Sequence, residues 1–189
     1  MGDSDDQLVA RVARGDREAC RELVERHLAR VLAFATRVLA DRTEAEDVAQ
    51  EVFTRVWTHA ASWRPGRGRF TTWLFRVALN LCLDRRARRR DVPLDAAAEP
   101  VDPRPTPARD VEDAQVSRLV AREVQALPER QRVALALCHY EGLPGAEAAS
   151  VMGISVEACE SLLARARRTL RARILAVAPD LVEVRRCRS

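Results

Sequence analysis

The stretch Ser62-Trp63-Arg64-Pro65-Gly66-Arg67-Gly68-Arg69-Phe70 sets three guanidinium groups between two aromatic rings, and Trp73 follows close behind. Guanidinium groups hold a phosphate backbone and aromatic faces accept unstacked bases, so this mixture suits single-stranded nucleic acid. Core packing would account for Phe70 and Trp73 but not for the Arg. From Ser62 to Arg90 there are nine Arg against one acid, Asp84, and from Ser161 to Arg173 five Arg and no acid. The run Arg85-Arg86-Ala87-Arg88-Arg89-Arg90 exceeds what a helix C-terminus needs to satisfy its dipole. Two separate basic patches point to two contacts with a polyanion. The net charge is only +4, and all 32 basic residues are Arg. Exclusive use of Arg reads as a codon-level habit, but that habit does not cluster them.

Other chemistries are poorly supplied. The three His, at 27, 59 and 139, have no suitable Ser or Cys with a third group nearby, and no metal or phosphate-loop motif occurs. The expectation is a protein that is not an enzyme, with no cofactor, no metal and no small-molecule substrate. The five Cys (20, 82, 138, 159 and 187) form no CxxC, and most fall within helical patterns, where Cys acts as a small apolar residue. The MGDSDD start is acidic without an apolar core, and no run of about 18 apolar residues is present. No membrane insertion and a cytoplasmic location are therefore expected.

The elements that must position these groups are helical. Hydrophobic residues make up 47% of the 189, aromatics only 4%, and Ala, Leu, Val and Arg dominate, which predicts an all-α chain. Residues 1–5 read as a frayed acidic end. Apolar spacing predicts a helix over 6–14, ended by Gly15, and a second over 17–40, capped by Asp16. Thr43-x-x-Glu46 reads as a capping box opening a helix over 44–59. Its buried face would be Val48, Val52, Phe53, Val56 and Trp57. Glu46, Asp47, Gln50 and Glu51 take the other face, which on its own is simply solvated. After the Gly- and Pro-containing loop, a helix is predicted over 71–90 with Trp73, Leu74, Val77, Ala78, Leu81 and Cys82 inward.

Residues 91–112 hold five Pro and more acids than Arg, so they form a linker. Extended, it spans at most about 70 Å, roughly two turns of duplex DNA. Beyond it, helical patterns run from 113 to 127 and from Pro128 to Tyr140. A turn at Glu141-Gly142-Leu143-Pro144, a short helix over 147–152, Gly153, and a longer Arg-loaded helix capped by Ser155 complete the outline of a helix-turn-helix. The tail after 178 is basic.

In this order and spacing the sequence resembles the extracytoplasmic-function (ECF) group of bacterial RNA polymerase sigma factors over most of its length. Glu46-Asp47-Val48-Ala49-Gln50-Glu51-Val52-Phe53 is similar to the core-binding helix of sigma region 2. Trp63-x-Pro65-x-x-Gly68-x-Phe70-x-Thr72-Trp73-Leu74, then Asn80 and Asp84-Arg85, resembles the −10 segment. Leu127-Pro128-x-x-Gln131-Arg132, Glu141-Gly142-Leu143, Gly153-Ile154-Ser155 and Arg165-Ala166-Arg167 resemble region 4.

The resemblance implies two small helical domains. Residues 1–90 would be a region 2 bundle, 91–112 a flexible acidic linker, 113–178 a region 4 helix-turn-helix, and 179–189 a basic tail. It implies that Glu46, Asp47, Gln50, Glu51 and Phe53 dock on core RNA polymerase. Trp63, Arg64, Arg67, Arg69, Phe70 and Asn80 would capture the single-stranded non-template strand of a promoter −10 element, with one base in a pocket. Arg85, Arg86, Arg88 and Arg89 would hold its backbone. Ser155, Glu157, Ala158, Glu160, Ser161, Arg165 and Arg168 would face the duplex −35 element. An anti-sigma factor that masks these faces is also implied.

Two stretches depart from the family pattern. Glu157-Ala158-Cys159-Glu160-Ser161-Leu162 stands where a Gly-Thr-Val-Lys-Ser-Arg-like run is common, and Pro144-Gly145 replaces a Ser-Tyr pair. A Glu in the major groove can accept from cytosine N4, so Glu160 is a candidate for setting −35 preference. The competing expectation is a two-domain helix-turn-helix regulator that binds duplex DNA without polymerase. The polar face at 46–51 and the Trp63–Trp73 segment weigh against it.

Overall fold

The computed structural model describes residues 2–64, 68–91 and 111–177. Nearly all of the predicted linker, the predicted basic tail and Arg67 lie outside them. Among the described residues there are eight α-helices and no strand: α1 (Asp5–Val12), α2 (Arg17–Leu39), α3 (Arg42–His59), α4 (Phe70–Asp91), α5 (Val111–Gln125), α6 (Glu129–Leu135), α7 (Gly145–Met152) and α8 (Val156–Val177). None is long and apolar enough to cross a membrane. The all-α, two-part architecture is as the sequence predicts.

The start of the chain is better ordered than its acidic composition suggests. Ser4 and Gln7 form a reciprocal capping box: Ser4 Oγ accepts from the Gln7 amide at 3.3 Å, and Gln7 Oε1 accepts from the Ser4 amide at 2.7 Å. Asp3 pairs with Arg11 and Asp5 with Arg26. Asp16 caps α2 as predicted, accepting from the amides of Glu18 and Ala19. The cap of α3, however, is Asp41, which accepts from the Glu44 amide at 3.0 Å. The predicted Thr43–Glu46 box does not form, because the helix has already begun at Arg42, to which Glu46 bonds instead at 2.9 Å.

α1 to α4 surround one apolar interior. Phe34 of α2 meets Phe75 of α4 edge-to-face at 5.3 Å, and both are fully buried. Two large aromatic positions depart from the predicted stripes, and Leu79 of α4 joins the core as well. Phe75 belongs to the core, and Trp57, expected inside, is 42% exposed. The inward face of α3 is already filled by Val48, Val52, Phe53 and Val56, and Trp57 is one helical step beyond it.

In the second unit Pro128 is the N-cap of α6 rather than its first residue. The predicted continuous helix to Tyr140 widens into a π-turn at Ala136–Tyr140, where the Glu141 amide donates back to Ala136 at 3.0 Å. Gly153, at φ 64°, ends α7 in the left-handed conformation that favours Gly. Ser155 then accepts from the Ala158 amide at the start of α8.

The two units pack on each other, which the linker reading does not foresee. α4 lies against α7, and α2 against α6 and the π-turn, with one apolar core running through both. Polar contacts edge this seam. Arg30 donates to the Glu141 carboxylate at 3.1 Å and to its carbonyl at 2.9 Å. The Arg37 guanidinium lies 4.0 Å from the Tyr140 ring centre. Arg132, buried at 6% exposure, donates to the Val38 carbonyl at 3.1 Å. Burial pushes the Glu141 carboxyl up, and Arg30 and Arg37 oppose that shift.

Candidate nucleic-acid and partner interfaces

The Trp63–Trp73 segment is built on an aromatic trio. Trp63 meets Phe70 at 5.9 Å and Trp73 at 6.0 Å, both near edge-on, and Phe70 lies 5.8 Å from Trp73. Phe70 is 3% exposed and forms the floor of this group, so its ring is not open to solvent. Trp63 and Trp73 are half-buried and both line the adjoining cleft. Arg64 and Arg69 are exposed at the rim, and Asn80 is exposed almost three turns along α4 from Phe70. Beside the trio lies a cleft of about 570 Å³, lined by Trp63, Arg64, Arg69, Phe70, Trp73 and Arg76 among others. That volume is within the range of small-ligand sites, roughly 300–1,000 Å³.

The cleft is partly closed by the second unit. Ala146, Glu147 and Ser150 of α7 also line it. Thr72 donates to Glu147 at 2.7 Å, Arg69 pairs with Glu147 at 3.5 Å, and Arg76 donates to Ser150 Oγ at 2.6 Å. Nothing in the sequence marks Arg76, because an isolated Arg on a helix carries no signal until its neighbours are known.

The Arg-rich end of α4 folds back on the start of α3. Arg85 pairs with Asp47 at 3.1 Å, and Arg89 pairs with Asp41 and, at 2.7 Å, with Glu44. Arg86 donates to the Val38 carbonyl and lies 3.4 Å from Glu129. Arg88 is exposed. Part of this basic run is thus held by acids within the chain, which spaces its guanidinium groups along one edge of the bundle.

On α3, Glu46, Asp47 and Gln50 are exposed and Glu51 is half-exposed, bonded to Arg55 at 3.2 Å. Phe53 packs inward at 9% exposure. Trp57 lies seven residues after Gln50, two turns along the same stripe, and adds an apolar end to this polar face. On α8, Glu157, Ala158, Glu160, Ser161, Arg165 and Arg168 are all exposed, as is Ser155 at its cap, while Cys159, Leu163 and Ala166 face the core. All the α8 residues expected to meet DNA therefore share the solvent side.

Burial pushes the thiols up, Cys82 to about 12 and Cys138 to about 11, which suits packing residues rather than nucleophiles. Among the described residues no group of His, Cys, Asp and Glu could hold a metal ion.

These features fall within two family models, "Sigma-70 region 2" over residues 23–92 and "Sigma-70, region 4" over residues 117–170. The RNA polymerase sigma-H factor of Pseudomonas aeruginosa is 32% identical over 179 residues, covering 89% of this chain and 92% of that protein. The ECF RNA polymerase sigma-E factor of Haemophilus influenzae is 31% identical over 185 residues, covering 90% and 95%. Among solved structures, CnrH in complex with the cytosolic domain of CnrY matches with a TM-score of 0.68 at 30% identity, over 92% of this chain and 99% of that one.

Proposed function

The chain belongs to the ECF group of RNA polymerase sigma factors, and from that premise we propose that its three exposed faces divide the work of promoter recognition. The face of α3 from Glu46 to Glu51 docks on core polymerase. The cleft beside Trp63 and Trp73, with Arg64, Arg67, Arg69, Asn80 and the Arg85–Arg89 edge, takes the unwound non-template strand of the −10 element. The solvent side of α8 enters the major groove at −35. The observation that carries this reading is the aromatic trio of Trp63, Phe70 and Trp73, rimmed by Arg64 and Arg69 and followed on α4 by the basic edge at Arg85–Arg89.

The chemistry divides in the same way. Duplex at −35 is bound mainly through phosphates, with a few side chains touching base edges. At −10 the bases must leave the stack, and rings compensate for lost stacking. Phe70 serves as the support of that surface rather than a stacking face, because Trp63 and Trp73 cover it. The protein acts as a dissociable initiation factor in the cytoplasm, and the polymerase supplies the catalysis. The structural relative CnrH is bound by the cytosolic domain of CnrY. By the same logic an anti-sigma factor controls this chain by covering the α3 and α4 faces.

The test is selection from a randomised upstream library with reconstituted holoenzyme. Two enriched blocks, one centred near −10 and one near −35, are expected. Enrichment of a duplex site by this chain alone, with no dependence on core polymerase, would instead identify a plain DNA-binding regulator.

A further inference from the structure

The first turn of α1 reaches the −10 segment, more than fifty residues away in sequence. Asp6 Oδ1 accepts a hydrogen bond from the Trp63 indole Nε1–H at 3.1 Å. This is the one polar atom Trp63 has in its side chain, and an indole donor of this kind normally needs a partner when half-buried. The neighbouring Asp5 carboxylate lies 3.0 Å from His27 Nε2 and also bonds Arg26. The His27 ring, 3% exposed, packs on Phe70 at 5.6 Å. One short helix turn therefore fixes both the rim and the floor of the aromatic trio. α1 is itself held in place by the Ser4–Gln7 capping box and by Arg11 bridging Asp3 and Asp16.

We propose that Asp6 is a positioning residue for promoter opening: its carboxylate sets the rotamer of Trp63, so that the indole stands edge-on to Phe70 and Trp73 as part of the lining of the −10 cleft. This rests on the reading of Trp63 as a −10 contact. Without the hydrogen bond the indole has no polar anchor, and the loop around it begins just after Trp63. Holding the ring in the binding geometry before the strand arrives reduces the ordering cost of binding. The lining of the cleft by Val9 of α1 places the same helix against the space the strand would enter.

The experiment uses holoenzyme and a fluorescent single-stranded DNA carrying the non-template −10 sequence enriched by library selection. Five variants are compared: D6A, D6N, W63F, W63A and the D6A/W63F double. D6A is expected to weaken oligonucleotide binding about tenfold, the size of one lost hydrogen bond to a charged group. D6N, whose amide oxygen still accepts, should stay within about twofold of wild type. A phenyl ring has no donor, so D6A should have no further effect in the W63F background. Core-polymerase affinity should be the same for D6A and wild type. The proposal is overturned if D6A binds the oligonucleotide like wild type. It is equally overturned if D6A costs the same in both backgrounds, which is what a general loss of folding or a role unconnected with Trp63 would give. A W63A holoenzyme that still binds the oligonucleotide normally would overturn the −10 reading itself.

Discussion

Glu160 stands exposed on α8, one position past the buried Cys159 and beside Ser161, on the side proposed to meet the −35 duplex. A carboxylate there repels phosphate and accepts only from a donor such as cytosine N4, so its influence is on choice of sequence rather than on affinity. Glu160→Lys is expected to change the −35 block recovered by selection, with a discrimination shift on the order of 1–3 kcal/mol at one base pair, and to leave the −10 block alone. Selection with the variant recovering the same −35 block would remove Glu160 from specificity. The candidate residues on α8 were legible in the sequence because one helical period, set by Cys159, Leu163 and Ala166, places all of them outward. Asp6 and Arg76 were not legible. Their partners, Trp63 and Ser150, lie 57 and 74 residues away, and no local spacing encodes such contacts.

The helices end and begin where backbone chemistry dictates, and the corner between α2 and α3 is the least obvious case. Ala40 adopts φ 57° there, a left-handed residue that sequence reading would expect to be Gly. The absence of Gly hid this corner and let the Thr43–Glu46 pattern pass for the cap. Asp41 does the capping, and it also receives Arg89 from the end of α4. The Glu44 amide, then Arg89, hold the Asp41 carboxyl below its ordinary 3.8. A depressed carboxylate stabilises the fold above its unfolded value and loses that contribution as pH falls through the lower folded one. Asp41→Ala is expected to cost about 1 kcal/mol in urea unfolding at neutral pH. The gap between wild type and variant should narrow as the pH is taken below 3.8. A gap that does not change with pH would mean that the carboxylate's charge plays no part at this corner. Elsewhere the caps at Asp16 and Ser155 and the stop at Gly153 were readable, because Asp, Ser and Gly sat at the expected offsets.

At the scale of the whole molecule, the packed arrangement of the two units conflicts with simultaneous reading of both elements. Elements at −10 and −35 lie about 25 base pairs apart, roughly 85 Å along the duplex. Here Arg69 is 3.5 Å from Glu147 of α7, and α7 is a wall of the cleft proposed to take the −10 strand. On the proposed reading, promoter binding requires α7 to leave α4 and the seam at Arg30–Glu141 and Arg37–Tyr140 to open. Dyes at the exposed positions Ala29 of α2 and His139 of the π-turn, beside the Arg30–Glu141 contact, should report a short distance in the free protein and a much longer one in holoenzyme. Equal distances in the two would contradict separation of the units. The Pro-rich linker leads one to expect units able to reach separate sites, and no local pattern signals the packed arrangement. The seam is an apolar core shared by both units and edged by ordinary Arg, Glu and Tyr side chains whose pairing depends on the tertiary fold. The central claim, that this chain gives core polymerase the ability to find and open promoters, is tested most directly by run-off transcription with purified core on a template from the selected library. Transcripts of the run-off length are expected only when this protein is added, and fewer with W63A. No transcript from any selected template, with core shown to be active alongside another sigma factor, would contradict it.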